Sequence, residues 1–300
     1  MIQLPNPLIL DGGLATELEA QGYDLKHELW SARLLQDSPE AIVEAHLAYL
    51  RAGAGCIISA SYQASVDGFM SLGLSEEEAL GLIDLSVELG RQAIDQYCLE
   101  VSPAVRPLLA ASVGPYGAVL ADGSEYRGDY DLDQAGLYSF HQQRFQRLAA
   151  SGADVLACET IPCIAEALAL SQLIAEAGVP AWISFSCADG QHLNSGESIA
   201  DATALLSATP SLVAIGVNCS APQYIASLID QVRSQWQGRV VVYPNSGEHY
   251  CAESGTWEGT SSPIECAEAA HQWQQHGADI IGGCCRMGPA HVAAISSGLD

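Results

Sequence analysis

Basic residues are scarce in this 300-residue chain: Lys and Arg number 11 against 36 Asp and Glu, a formal net charge of −25. A surface of that sign repels phosphate backbones and anionic lipid, which argues against nucleic acid or a membrane surface as a partner. Long apolar runs are missing as well, and none approaches the roughly 20 residues that a bilayer-crossing helix needs. The start, MIQLPNPLILDGG, has no basic n-region and carries two prolines in its apolar stretch, so it does not read as a secretory signal. These absences predict a cytoplasmic protein that acts on small molecules. There is also no Ser/Gly linker, low-complexity tract or charge block at which to divide the chain, and a single domain over residues 1–300 is expected. No Gly-x-Gly-x-x-Gly fingerprint follows the first apolar run, because LDGGLATEL has different spacing; an open dinucleotide-binding sheet is therefore disfavoured.

What is present is apolar strand. Hydrophobic residues make up 49% of the chain and charged residues only 16%, the balance of a protein with much buried sheet. A small residue and Gly followed by an apolar run recurs as AGAGCIISA at 52–60, SGADVLACE at 151–159 and HGADIIGGC at 276–284, with AGVPAWISF at 177–185 a looser copy. Glycine closes a helix in the left-handed conformation, and the run after it is a strand buried on both faces. Strand-length runs fall at 8–10, 56–60, 108–113, 155–159, 182–186, 213–218, 239–243 and 280–283. Helical patterns cover 39–52, 76–99, 133–151, 164–177, 197–207, 221–235 and 263–276 between them. Eight strands alternating with helices in a chain of this length predict the α/β class and a single (β/α)8 TIM-type barrel.

Reactive residues gather at one place in that pattern. Asp11, Ser61, Glu159, Cys219, Asn245, Cys284 and Cys285 each sit at or just beyond the C-terminal end of a predicted strand. In a barrel these ends form one face, where active sites are built. The segment 112–130, SVGPYGAVLADGSEYRGDY, reads as too polar and glycine-rich for helix, and a loop of that size over a barrel mouth suggests a lid.

The ten cysteines are expected to be thiols in a reducing compartment. Cys284 and Cys285 form a vicinal pair, and adjacent cysteines make at best a strained disulfide. Two thiolates supply half a tetrahedral site, and Cys219 can supply a third. Three thiolates with one open position describe a catalytic zinc, one per chain, rather than a closed structural one. Ordinary buried strand-end cysteines are the alternative. Zinc held by three thiolates is poorly suited to generating hydroxide and well suited to taking a substrate thiol as its thiolate, which points to alkyl transfer onto sulfur. Asp11 and Glu159 are the candidate catalytic carboxylates and fit a substrate ammonium. Ser61 and Asn245 join them as candidate substrate-binding residues, and Asp11 has the alternative of capping the next helix. Tyr62, Tyr116, Tyr126, Tyr243 and Trp257 offer aromatic faces that attract a sulfonium cation. His249 is a weaker candidate proton handler. The remaining cysteines, Cys56, Cys98, Cys158, Cys163, Cys187, Cys251 and Cys266, read as core, Cys187 least clearly because it too ends a strand.

LDGGLATEL, SASYQAS, SVGPYGA with DGSEYRGDY, LACET, GVNC, YPNSGEHY and GGCCR, in this order, resemble the homocysteine S-methyltransferase family over residues 7–295. The resemblance implies a zinc barrel with Cys219, Cys284 and Cys285 as ligands and Asp11 and Glu159 at the homocysteine amino group. The DGSEYRGDY and YPNSGEHY segments look like the branch that uses S-methylmethionine, with S-adenosylmethionine as a second donor, and imply that S-methylmethionine plus homocysteine gives two methionines. The competing readings are a donor of the betaine type, selenohomocysteine as acceptor, a zinc lyase or hydrolase, and a silent zinc-binding or thiol-sensing barrel.

Overall fold

The structure is a computed structural model that describes residues 4–23, 34–120, 122–247, 249–251, 256–258 and 262–299; for 249–251 and 256–258 it describes the backbone. Eight strands lie side by side in parallel: β1 (Leu8–Ile9), β2 (Cys56–Ile58), β3 (Leu108–Val113), β4 (Val155–Ile161), β5 (Ala181–Phe185), β6 (Leu212–Asn218), β7 (Arg239–Tyr243) and β10 (Ile280–Ile281). The sheet runs β1-β10-β7-β6-β5-β4-β3-β2, and a parallel bridge from Leu10 to Cys56 joins its two ends. The sheet is thus closed, with helices between successive strands, and the (β/α)8 barrel expected from the sequence is what forms. A two-stranded antiparallel hairpin, β8 (His249–Cys251) and β9 (Thr256–Glu258), is inserted after β7.

The strands are apolar on both faces because the barrel has two cores. Leu8, Leu10, Cys56, Ala110, Val155, Ala157, Trp182, Ala214, Val241, Tyr243 and Ile280 fill the inside. The alternate residues, such as Ile57, Leu109, Leu156, Cys158, Ile183, Ile215 and Val242, pack outward against the helices. Alternation therefore sends Cys158 to the outer layer and its neighbour Glu159 to the inside.

Helix ends follow local chemistry. Ser75 and Glu78 form a capping box at the start of the helix Glu76–Val101, and Ser262 and Glu265 do the same for Pro263–His276. Gly178 and Gly277 end their helices with positive φ, as the recurring motif predicts. The aspartate in two copies of that motif pins an adjacent strand. Asp154 accepts the Leu109 backbone N–H at 2.8 Å, and Asp279 accepts that of Val240 at 2.9 Å. Both bonds lie at the barrel's N-terminal end, the end that serves stability.

The segment 112–130 departs from expectation. It contains a helix, Tyr116–Leu120, and a 3-10 turn, Ser124–Tyr126. Tertiary contacts override its composition. The Glu166 carboxylate accepts the Tyr116 N–H at 2.6 Å and so satisfies the helix's first donor, and the Tyr130 hydroxyl accepts the Gly117 N–H at 3.2 Å. Glu166 is itself held by His141 at 2.8 Å, and His141 by Arg144 at 3.1 Å, all three buried.

Candidate active site

The C-terminal ends of the strands surround one cavity that opens to solvent, lined among others by Asp11, Tyr62, Glu125, Tyr126, Glu159, Cys219, Tyr243, Cys284 and Cys285.

Three cysteines meet on one side of it. The Cys219, Cys284 and Cys285 sulfurs lie within 4.8 Å of one another. Cys219 follows β6 with φ +45, a left-handed backbone that a non-glycine residue adopts at some cost and that is typical of functional sites. Its N–H is anchored on the Tyr243 carbonyl at 3.2 Å. The loop that carries Cys284 and Cys285 is stitched to its neighbours, Gly283 N–H to the Asp11 carbonyl at 3.0 Å and Cys284 N–H to the Pro244 carbonyl at 2.8 Å. The LDGG turn must come close to this loop. A Cβ on Gly13 would stand 2.7 Å from the Cys284 carbonyl oxygen, so only glycine fits.

The expectation that every cysteine is a thiol needs one correction: Cys219 and Cys284 are joined as a disulfide, their Cα atoms 5.6 Å apart. That separation lies within what a disulfide spans. A disulfide sulfur carries no thiolate charge, so the state of this cluster able to hold a metal is the reduced one. Cys285 stays free, its sulfur 3.9 Å from that of Cys219, close to the roughly 3.8 Å that separates two sulfurs on a tetrahedral zinc. Burial pushes the Cys285 thiol up to about 11, so only a cation beside it makes it a thiolate at neutral pH. Three convergent sulfurs that need a cation fit a soft divalent metal.

Opposing charge lines the same cavity. Glu159 is buried at the end of β4, where it accepts from Ser112 Oγ and has the Tyr243 hydroxyl near enough to favour its charged form. The Tyr243 hydroxyl is held in turn by Trp182 Nε1 at 3.1 Å and Ser184 Oγ at 2.7 Å. Burial nonetheless dominates and pushes the Glu159 carboxyl up to about 7. Asp11 accepts the Ile58 N–H at 2.8 Å, and burial, with Glu159 nearby, pushes its carboxyl well above the usual range. It does not cap the following helix, whose N-cap is Gly13. Two buried carboxylates that repel each other call for a cation between them.

Not every candidate joins the cavity. Ser61 is fully buried and donates to the Ser112 carbonyl at 2.8 Å, so its hydroxyl ties the segment after β2 to β3 and does not line the cavity. Asn245 donates its backbone N–H to the Ser220 carbonyl at 3.1 Å and lines a separate depression with Gln223 and Trp273. Tyr62, Tyr126 and Tyr243 line the cavity, whereas Tyr116 packs edge-on against Tyr130 and Phe140. The side chains of His249, Cys251 and Trp257 lie outside the described residues. Sequence reasoning missed Glu125, which lines the cavity, and Asn218, which clamps Thr160 by two hydrogen bonds of 2.7 Å. A buried Asn directly before Cys219 was the available signal for the second.

A family model for homocysteine S-methyltransferase matches residues 8–299. The chain belongs to the homocysteine S-methyltransferase family. It is 46% identical to homocysteine S-methyltransferase YbgG of Bacillus subtilis over 97% of this chain and 93% of the relative. With the homocysteine S-methyltransferase of Escherichia coli it shares 48% identity, over 97% and 94%. The metallated form of the homocysteine methyltransferase MmuM from Escherichia coli superimposes with a TM-score of 0.88 at 44% identity, covering 98% of this chain and 96% of that one. The protein is therefore an enzyme, a methyltransferase acting on homocysteine.

The Glu159 value fixes a pH dependence. The carboxylate attracts an ammonium and the protonated acid does not, so the attraction is present above pH 7 and lost as pH falls through it. The KM for homocysteine should rise about tenfold between pH 7.5 and 6, and Glu159→Gln should lack that rise. A wild-type profile parallel to that of the variant would place the titration elsewhere.

Proposed function

We propose that the enzyme moves a methyl group from S-methylmethionine to the thiol of homocysteine, with Cys219, Cys284 and Cys285 holding one zinc ion. The observation that carries this reading is a single cavity with a three-sulfur cluster and buried carboxylates, lined by no Lys or Arg among the described residues. Zinc, when bound there, lowers the pKa of a thiol placed beside it. The chain's residues do the rest. Asp11 and Glu159 bind the homocysteine ammonium and so aim its sulfur at the cluster. Tyr243 and Ser112 hold the Glu159 carboxylate in place. Tyr62 and Tyr126 offer ring faces to the sulfonium. The homocysteine sulfur attacks the methyl carbon, the bond to the donor sulfur breaks, and its electron pair stays on the departing thioether. Two neutral thioethers form from a sulfonium and a thiol, and one proton is released.

S-Adenosylmethionine carries the same sulfonium and is proposed as a second donor. Asp11, Glu159 and the three cysteines are the proposed working residues, in one domain that spans the chain. Because the cluster must be reduced to hold metal, we place the enzyme in the cytoplasm, with small molecules as its ligands. No helix among the described residues is long and apolar enough to cross a membrane.

Supplying reduced, zinc-loaded enzyme with homocysteine and, in turn, S-methylmethionine, S-adenosylmethionine or betaine tests the reading. S-Methylmethionine should give the fastest turnover and two methionines per donor consumed, and betaine should give none. Faster turnover with betaine would overturn the donor assignment.

A further inference from the structure

Glu125 is a third carboxylate at the cavity, and neither the metal cluster nor the homocysteine site uses it. It sits in the 3-10 turn Ser124–Tyr126, is only 7% exposed, and lines the cavity beside Tyr62 and Tyr126. Its Oε2 is buried with no hydrogen-bond partner. The backbone around it is fixed: Ser186 Oγ donates to the Glu125 carbonyl at 3.2 Å, and the next turn is tied by Arg127 N–H to the Ser124 carbonyl at 3.0 Å. A carboxylate oxygen left bare in a rigid pocket wall is costly to the folded protein, and such groups persist where a ligand completes them.

The substrates show what that ligand is. This step rests on the sulfonium-donor reading above. Homocysteine brings one ammonium, and an amino-acid sulfonium donor brings another. Asp11 and Glu159 feel each other's charge and form one cation site. The charged neighbours of Glu125 are instead Asp122 and Arg127, so it is a separate site. A sulfonium has no N–H to give, whereas an ammonium donates hydrogen bonds that a bare carboxylate oxygen can accept.

We propose that Glu125 docks the α-ammonium of the methyl donor and thereby selects amino-acid sulfonium compounds as substrates. The turn Ser124–Tyr126 then presents two adjacent residues to one molecule, Glu125 to its ammonium and Tyr126 to its sulfonium. Desolvation already raises the Glu125 carboxyl, which a bound ammonium would reverse.

Glu125→Gln tests this, with steady-state kinetics in each substrate at saturation of the other and thermal unfolding of the substrate-free protein. The KM for S-methylmethionine should rise about 10- to 100-fold and that for homocysteine by less than about twofold. The substrate-free variant should melt at or above the wild-type temperature, because a buried, unpartnered charge has been removed. Equal shifts in both KM values, no shift in either, or a lower melting temperature would overturn the proposal and leave Glu125 a structural residue. Glu125→Asp, which keeps the charge on a shorter arm, should recover part of the donor KM, and failure to do so counts against a charge-based role. If the wild type uses S-adenosylmethionine and not S-methylmethionine, the donor reading falls, and the same comparison with S-adenosylmethionine still decides the role of Glu125, since both carry an α-ammonium. If neither donor supports methionine formation, both fall.

Discussion

Replacing Cys219, Cys284 or Cys285 singly by alanine should lower kcat/KM by at least about a thousandfold, the equivalent of roughly 4 kcal/mol of transition-state stabilisation. Each sulfur is one of three in a cluster within 4.8 Å, so no neighbour can replace a lost one. The variants should still fold. Cys219 is a small residue at a strand end with 8% of its surface exposed, and Cys285 is half-buried on a loop whose backbone N–H groups donate to the Asp11 and Pro244 carbonyls and to Thr16 Oγ1. Circular dichroism and melting temperature should therefore match those of the reduced, metal-free wild type. A variant that keeps more than a tenth of wild-type activity would remove its cysteine from the working set. The control is Cys158→Ala: that thiol packs in the outer core and should change activity little.

Glu159→Gln should act differently, on affinity for homocysteine. Glutamine preserves the acceptor oxygen that Ser112 addresses, so the strand end stays in place, but the charge that attracts the ammonium is gone. A charge-assisted hydrogen bond contributes about 1.5–3 kcal/mol, so the KM for homocysteine should rise about 10- to 100-fold while metal content stays unchanged. Equal weakening of both substrates, or loss of metal, would mean that Glu159 supports the site's architecture rather than the acceptor. Asp11→Asn carries a further expectation, since Asp11 also accepts the Ile58 N–H. The amide oxygen still accepts that N–H, so this variant should weaken homocysteine binding and leave the strand end in place, whereas Asp11→Ala should lose both.

The barrel was legible because its signal is local and repeated. Runs such as 155–159 and 239–243 differ from the observed strands by two residues or fewer, and Gly53, Gly152, Gly178 and Gly277 mark the return from helix to sheet. The site was legible because a barrel sends the C-terminal ends of its strands to one face, so Asp11, Glu159, Cys219, Cys284 and Cys285 meet although they come from opposite ends and the middle of the sequence. The rest depends on contacts that no local pattern carries. Ser61 looked like a strand-end donor, but β2 ends at Ile58 and the chain turns the hydroxyl onto the Ser112 carbonyl. Asn245 follows β7 yet faces another depression, because the backbone pairing to Ser220 turns it there. The helix Tyr116–Leu120 exists through the buried Glu166, His141 and Arg144, which come from two other helices. Glu125 was hidden for the same reason: a Gly- and Asp-rich segment reads as solvent-exposed until that network folds it over the mouth.

Zinc content is the most direct test of the account, because every assignment at the mouth assumes that the three cysteines hold the metal. Protein purified under reducing conditions should carry about one zinc per chain by elemental analysis, and each of Cys219→Ala, Cys284→Ala and Cys285→Ala should carry far less under the same conditions. Wild-type zinc levels in all three variants would contradict the account and put the metal, and the chemistry assigned to it, somewhere else in the protein.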